Sequence, residues 1–167
     1  MDIGVELKRL MVREPRLTLA VAESLTCGRL QARIGAISGA SDFFLGGLTA
    51  YALAQKVRHL GVDHGPVEPV NAVSPGVAEQ MARGACAFFG SDLALATTGY
   101  AEPAPERGVT HPLAYWALAH RRTDNSLLLR HGRVERPGAT RVEMQEAVVG
   151  AALATLLSYL RELRGAA

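Results

Sequence analysis

Ser41, Tyr51 and Lys56 are the residues of this chain best suited to start a nucleophilic reaction. Lysine is almost absent: of 18 basic residues, only Lys8 and Lys56 are lysines. An arginine would serve equally well wherever only a surface charge is needed. A lysine can lose its proton and act as a base, whereas an arginine stays protonated in a protein. Lys56 is therefore the one mid-chain cation able to activate a hydroxyl nucleophile. That role needs a depressed pKa, which burial supplies by disfavouring the ammonium. Leu53, Val57 and Leu60 are placed to desolvate it. The other reading of Lys56 is a solvated helix residue. Tyr51, about one helical turn before it, can orient the amine or pack as a strand-end aromatic. Spacing alone is a weak signal here, because the chain has neither a GxSxG elbow nor an SxxK motif.

The elements that must position these residues read as an α/β protein. Residues 3–12 have the apolar spacing of a short amphipathic helix, ended by Pro15. Residues 17–21 form an apolar, buried strand, and residues 28–37 return to helical spacing. Ser38-Gly39-Ala40-Ser41-Asp42 is a polar turn. Residues 43–51 read as a strand, in which Gly46 and Gly47 signal a bulge or a close backbone approach. Residues 52–60 form a short helix closed by Gly61, and Ser74 with Pro75 opens a longer one ending at Gly90. Residues 93–98 form another buried strand, and the proline-rich stretch 102–108 reads as an irregular loop. Residues 113–120 and 126–134 make a hairpin, and residues 139–163 a long helix. The expected fold is a single α/β domain, a mixed β-sheet flanked by helices. Three segments then fall just past strand ends, where α/β proteins carry their sites: Glu23-Ser24-Leu25-Thr26, Tyr51 with its neighbours, and Thr97-Thr98-Gly99.

Composition excludes several classes. The chain is 49% hydrophobic with 5% aromatics, enough for one core built mainly of Ala, Leu and Val. A net charge of +2 argues against a dedicated nucleic-acid surface. Arg121, Arg122, Arg130 and Arg133 read as solvated edges. Cys27 and Cys86 make neither a disulfide framework nor a zinc site, and both sit in apolar patterns that predict buried free thiols. The five histidines lack metal-binding spacing, and nothing calls for a cofactor. Neither a signal peptide nor a membrane-length apolar run is visible, which places the expected home in the cytoplasm.

The order of the motifs adds a resemblance. The chain shows Ala22-Glu23-Ser24-Leu25-Thr26-Cys27-Gly28, then Gly39-Ala40-Ser41, then Phe44 through Tyr51, then Lys56 through Val62. Later come Ala72-Val73-Ser74-Pro75, Ala96-Thr97-Thr98-Gly99 and Trp116. This series resembles the CinA C-terminal family, the nicotinamide-nucleotide amidases, over nearly the whole chain. The resemblance implies a homodimeric serine amidohydrolase that releases ammonia from nicotinamide mononucleotide. It implies Ser41 as nucleophile, Lys56 as activator and Tyr51 as assistant. It places Ser24, Thr26, Thr98, Gly99 and Arg141 on the nucleotide site. The chain departs from the family pattern at several points. Ala52 and Leu53 replace a Ser-Asn pair, the loop after Thr98-Gly99 lacks a later glycine pair, and Glu102 takes a glycine's place. Ala139-Thr140-Arg141 keeps only the arginine of a G-D-R sequence. The leading expectation is an amidohydrolase of nicotinamide mononucleotide or a related nucleotide-like amide. The alternative is a relative that binds a nucleotide or a partner protein without hydrolysis.

Overall fold

The computed structural model describes residues 3–67 and 71–165. The elements run α1 (Ile3–Val12), β1 (Leu19–Glu23), α2 (Arg29–Gly35), β2 (Phe44–Thr49), α3 (Leu53–Leu60), α4 (His64–Val67), α5 (Pro75–Phe89), β3 (Leu93–Tyr100), β4 (Leu113–Arg121), β5 (Leu127–Glu135) and α6 (Arg141–Arg164). The strands form one five-stranded sheet in the order β2-β1-β3-β4-β5. β1 is parallel to both β2 and β3, while β3-β4 and β4-β5 are antiparallel. This is the single-domain mixed α/β sheet expected from the sequence.

Alternation along the strands decides which helix lies on which face. Leu19, Val21, Leu93, Leu95 and Leu118 point to one side and pack with Leu7, Leu10, Met11 and the apolar stripe of α6. Ala22, Ala94, Ala96, Ala117 and Ala119 point to the other, where they meet Val77, Ala78, Met81 and Ala85 of α5. Large residues on one face leave room for three helices, α1, α2 and α6. Alanines on the other let α5 lie close to the sheet. Gly84 extends the same logic, since a Cβ there would strike the backbone of Leu60 at the end of α3.

The termini of the elements follow local chemistry. Ser74 caps α5 by accepting from the Val77 N–H at 3.1 Å, with Pro75 in the first turn. Thr140 and Glu143 form a reciprocal capping box at the start of α6. The double glycine of β2 produces the expected bulge. Leu19 pairs with Phe44 but Ala20 with Gly46, so Leu45 is skipped, and Gly46 adopts φ 140°. The loop after β3 is less irregular than its prolines suggested, because residues Pro105–Arg107 form a 3-10 turn. The first strand lies two residues later than its apolar run predicted. It includes Glu23 because that carboxylate is itself buried. Among the described residues, no helix is long and apolar enough to cross a membrane.

Candidate active site

Parallel β1 is flanked by β2, reached through α2, and by β3, reached by crossing back to its other side. The chain thus departs from β1 in opposite directions, which opens a crevice beyond the carboxyl ends of β1 and β3. Ser24 follows β1 directly at this edge, and its N–H bonds the Thr97 carbonyl of β3 at 3.0 Å. The turn that follows is tight, with Cys27 and Gly28 at φ 48° and 92°. The Glu23 carboxylate, fully buried, accepts from the N–H groups of Gly28, Leu30 and Gln31 at 2.9 to 3.0 Å. It therefore fills the amino end of α2 itself. From the other side, Gln145 of α6 donates to the Leu25 carbonyl at 2.7 Å and accepts from Arg29 at 3.0 Å. The backbone around Ser24 is thus held on three sides, while no hydrogen bond joins its hydroxyl to another described residue. It lines a cavity of about 400 Å³.

Lys56 lines the same cavity. It is only 3% exposed, and burial alone pushes its amine down to about pKa 8. Its Nζ donates to the Tyr51 carbonyl at 2.9 Å. The solvated-helix reading of Lys56 therefore does not hold. Tyr51, about half exposed, turns its ring to the rim of the cavity, where its hydroxyl accepts from Arg141 Nη1 at 3.4 Å. Arg141, in the first turn of α6, also donates through Nη2 to Glu102 at 2.7 Å. This pairing holds the Glu102 carboxyl below its ordinary range and the guanidinium above its own.

The remaining sequence candidates divide cleanly. Gly99 lines the cavity and has no room for a side chain, because Ala114 of β4 crosses it. Thr26 is fully buried, its Oγ1 2.7 Å from that of Thr97. Thr98 is also buried, donating to the Ala72 carbonyl at 2.6 Å. These two threonines brace the site from behind. The Thr98 bond steadies Asn71 and Ala72, two non-glycine residues at φ 50° and 55°.

Ser41 is placed elsewhere. It sits in the exposed 3-10 turn Ala40–Asp42, before the amino end of β2. Lys8 of α1 pins that turn through Asp42 at 3.3 Å. Tyr51 and Lys56 follow the carboxyl end of the same strand, so the length of β2, about 16 Å, separates the two groups. The structure does not bring Ser41 to Lys56, and the serine that shares the lysine's cavity is Ser24.

Asn71, Tyr100 and Glu106 also line the cavity and were not singled out from the sequence. Tyr100 follows Gly99 directly and carries that signal. Asn71 carries none, because only the fold brings its side chain to the Tyr100 hydroxyl, 3.2 Å away. Cys27, expected to be buried, is exposed on the turn after Ser24, while Cys86 is buried in α5. Among the described residues no cluster of metal-ligating side chains is present. A larger groove of about 760 Å³ runs between α1, the end of α2 and α6, but neither Ser24, Ser41, Tyr51, Lys56 nor any other site candidate from the sequence lines it. Convergent chemistry marks the site here, and volume does not.

Comparison with known proteins agrees with the architecture. A CinA-like protein of Chlorobium limicola is 37% identical over 157 residues, which are 93% of this chain and 36% of that protein. A CinA-like protein of Picosynechococcus is 50% identical over 93 residues, 56% of this chain and 22% of that one. The chain thus spans about a third or less of these curated relatives. Among solved structures, a competence-damaged protein (CinA) superfamily protein from Enterobacter cloacae superposes with a TM-score of 0.85. It is 26% identical, and the match covers 95% of this chain and 90% of that one. The competence/damage inducible protein CihA from Agrobacterium tumefaciens gives a TM-score of 0.77 at 28% identity, with 95% of each chain covered. The model of the CinA C-terminal domain matches residues 5–160, and this chain belongs to that family.

Proposed function

We propose that the chain is an amidohydrolase of the nicotinamide-nucleotide amidase type, with Ser24 as nucleophile and Lys56 as base. The substrate is the carboxamide of nicotinamide mononucleotide or a related nucleotide-like amide. The observation that carries this reading is the shared cavity, in which an unengaged serine hydroxyl accompanies a lysine whose amine burial holds near pKa 8. A lysine of that pKa is partly neutral near neutral pH, as a general base must be.

Neutral Lys56 takes the Ser24 proton as Oγ attacks the carboxamide carbon. The ammonium so formed returns the proton to the departing nitrogen, and ammonia leaves as the C–N bond breaks. An acyl-serine remains. Water, deprotonated by the same amine, then hydrolyses the ester to the acid and restores Ser24. The Tyr51 carbonyl, which accepts from Nζ, orients the amine throughout. Tyr51 OH and Arg141 border the cavity mouth and position the part of the substrate distant from the amide.

The purified protein, incubated with nicotinamide mononucleotide or its pyridine nucleoside, is expected to release ammonia and the matching carboxylic acid in equal amounts. Binding of either compound without ammonia release would replace this reading with the non-hydrolysing one.

A further inference from the structure

The amide-hydrolysing end of the cavity is matched by a mouth with an unusual charge arrangement. Among the described residues, four charged side chains line the cavity: Lys56, Arg141, Glu102 and Glu106. Lys56 is buried beside the Tyr51 carbonyl and is committed to the reaction. Arg141 is the only other cation among the described lining residues, and Glu102 already holds it at 2.7 Å. Glu106 adds a carboxylate with no cation paired to it among the described residues.

Two of the helix ends nearby carry the chain's own carboxylates, while that of α3, at Ala52 and Leu53 in the cavity wall, has no side-chain cap. Glu23 occupies the amino end of α2 with three hydrogen bonds. Glu143 occupies that of α6 by accepting from the Thr140 N–H at 2.8 Å. A phosphate group is ordinarily held by an arginine fork or by the free N–H groups of a helix amino end. In this cavity the arginine fork is taken by Glu102, and the amino ends of α2 and α6 are met by Glu23 and Glu143.

Resting on the amidase reading above, we propose that Glu102 is a specificity-determining residue that steers the site toward a carboxamide without a phosphate. The favoured class is a pyridinium nucleoside, whose ring carries a positive charge and whose sugar is neutral. Two carboxylates at the mouth attract such a cation and repel a phosphate dianion. A phosphate ester must displace Glu102 from Arg141 before it can use the guanidinium.

The test compares nicotinamide riboside with nicotinamide mononucleotide, for the wild type and for Glu102→Gln. Glu102 is a surface carboxylate that the fold does not bury, so the variant is expected to fold. Ammonia release should give the wild type a higher kcat/KM on the riboside. Glu102→Gln should move the ratio of the two toward the mononucleotide by at least about fivefold at low salt, and by less at high salt. A wild-type preference for the mononucleotide, or a ratio unmoved by the substitution, overturns the proposal. If neither compound releases ammonia, the amidase reading fails and calorimetric binding of the same two compounds decides the role of Glu102. Tighter riboside binding with the same shift in Glu102→Gln supports that role. Equal binding of the two, or binding of neither, overturns it.

Discussion

The turn that carries Ser24 and the turn that carries Ser41 look alike as sequence and differ in consequence. Each sets a serine between a strand and a helix with a glycine close by. Ser24 leaves the carboxyl end of β1, is tied to β3 while α6 holds its neighbour Leu25, and faces a cavity with a buried lysine. Ser41 precedes the amino end of β2 and lies exposed on a turn held by a surface ion pair. The difference is one of chain direction. A helix joining two parallel strands carries the chain back to the amino edge, so the residues before β2 sit opposite those after β1. Local polarity is the same at both turns, and only the sheet edge separates a serine beside the cavity from a solvated one.

The widest test of this contrast is to remove each hydroxyl. Ser24→Ala is expected to lower kcat by at least about 10³-fold with the fold intact, as loss of a nucleophile does. Ser41→Ala should leave ammonia release unchanged. Loss of turnover in the Ser41 variant, with retention in the Ser24 variant, would reverse the assignment.

Lys56 sharpens the carboxyl-edge side. On the proposed amidase reading the neutral amine is the active form, so kcat/KM should climb with pH through about 8 and then level off. Lys56→Arg keeps a cation but cannot act as a base. It should lose about 10²- to 10⁴-fold and show no such limb in its pH profile. An arginine variant that retains activity would make Lys56 a charge and nothing more.

The same burial has a thermodynamic signature. In the unfolded chain the amine titrates near 10.5, and in the folded protein near 8. Between those values the unfolded state binds the extra proton, so wild-type stability gains as pH rises from 8 to 10.5. Lys56→Met carries no such penalty. Below pH 8 it should be the more stable of the two by up to about 3 kcal/mol, and the gap should close by pH 10.5. Urea denaturation of both proteins at pH 7 and pH 10 measures this.

The smallest effect belongs to the amino edge. Lys8 and Asp42 are 34% and 49% exposed, a surface pair. Asp42→Asn should cost less than about 1 kcal/mol in the same denaturation assay and leave turnover untouched. A larger loss would mean that the Ser41 turn organises more of the molecule than its exposure implies.

Much of this was legible in the residues. The Leu-Ala alternation of residues 93–96 fixes a strand with two unequal faces, and Ser74-Pro75 fixes the start of α5. Lys56 stood out by the rarity of its type, and Ser24, Thr98, Gly99 and Arg141 were marked as site candidates. The choice between two serines was not legible locally, because each turn satisfies the same polarity and glycine rules. It depended on recognising that β1 and β2 run parallel, a relation carried by the helix between them. The pairing of Glu102 with Arg141 joins residues 39 positions apart and needed the fold. So did the exposure of Cys27, which sits among apolar neighbours in sequence but on a left-handed turn in space.

The skipped residue in β2 has a consequence for the molecule as one among many copies. β2 is an outer strand, and an outer strand offers unpaired backbone donors and acceptors to any other chain it meets. The irregularity at Leu45 and Gly46 breaks the even spacing of those groups and adds local twist. A strand from a neighbouring molecule finds no continuous ladder to extend, so the double glycine also guards the free edge against intermolecular sheet growth. Restoring regular pairing by deleting Leu45 would remove that protection.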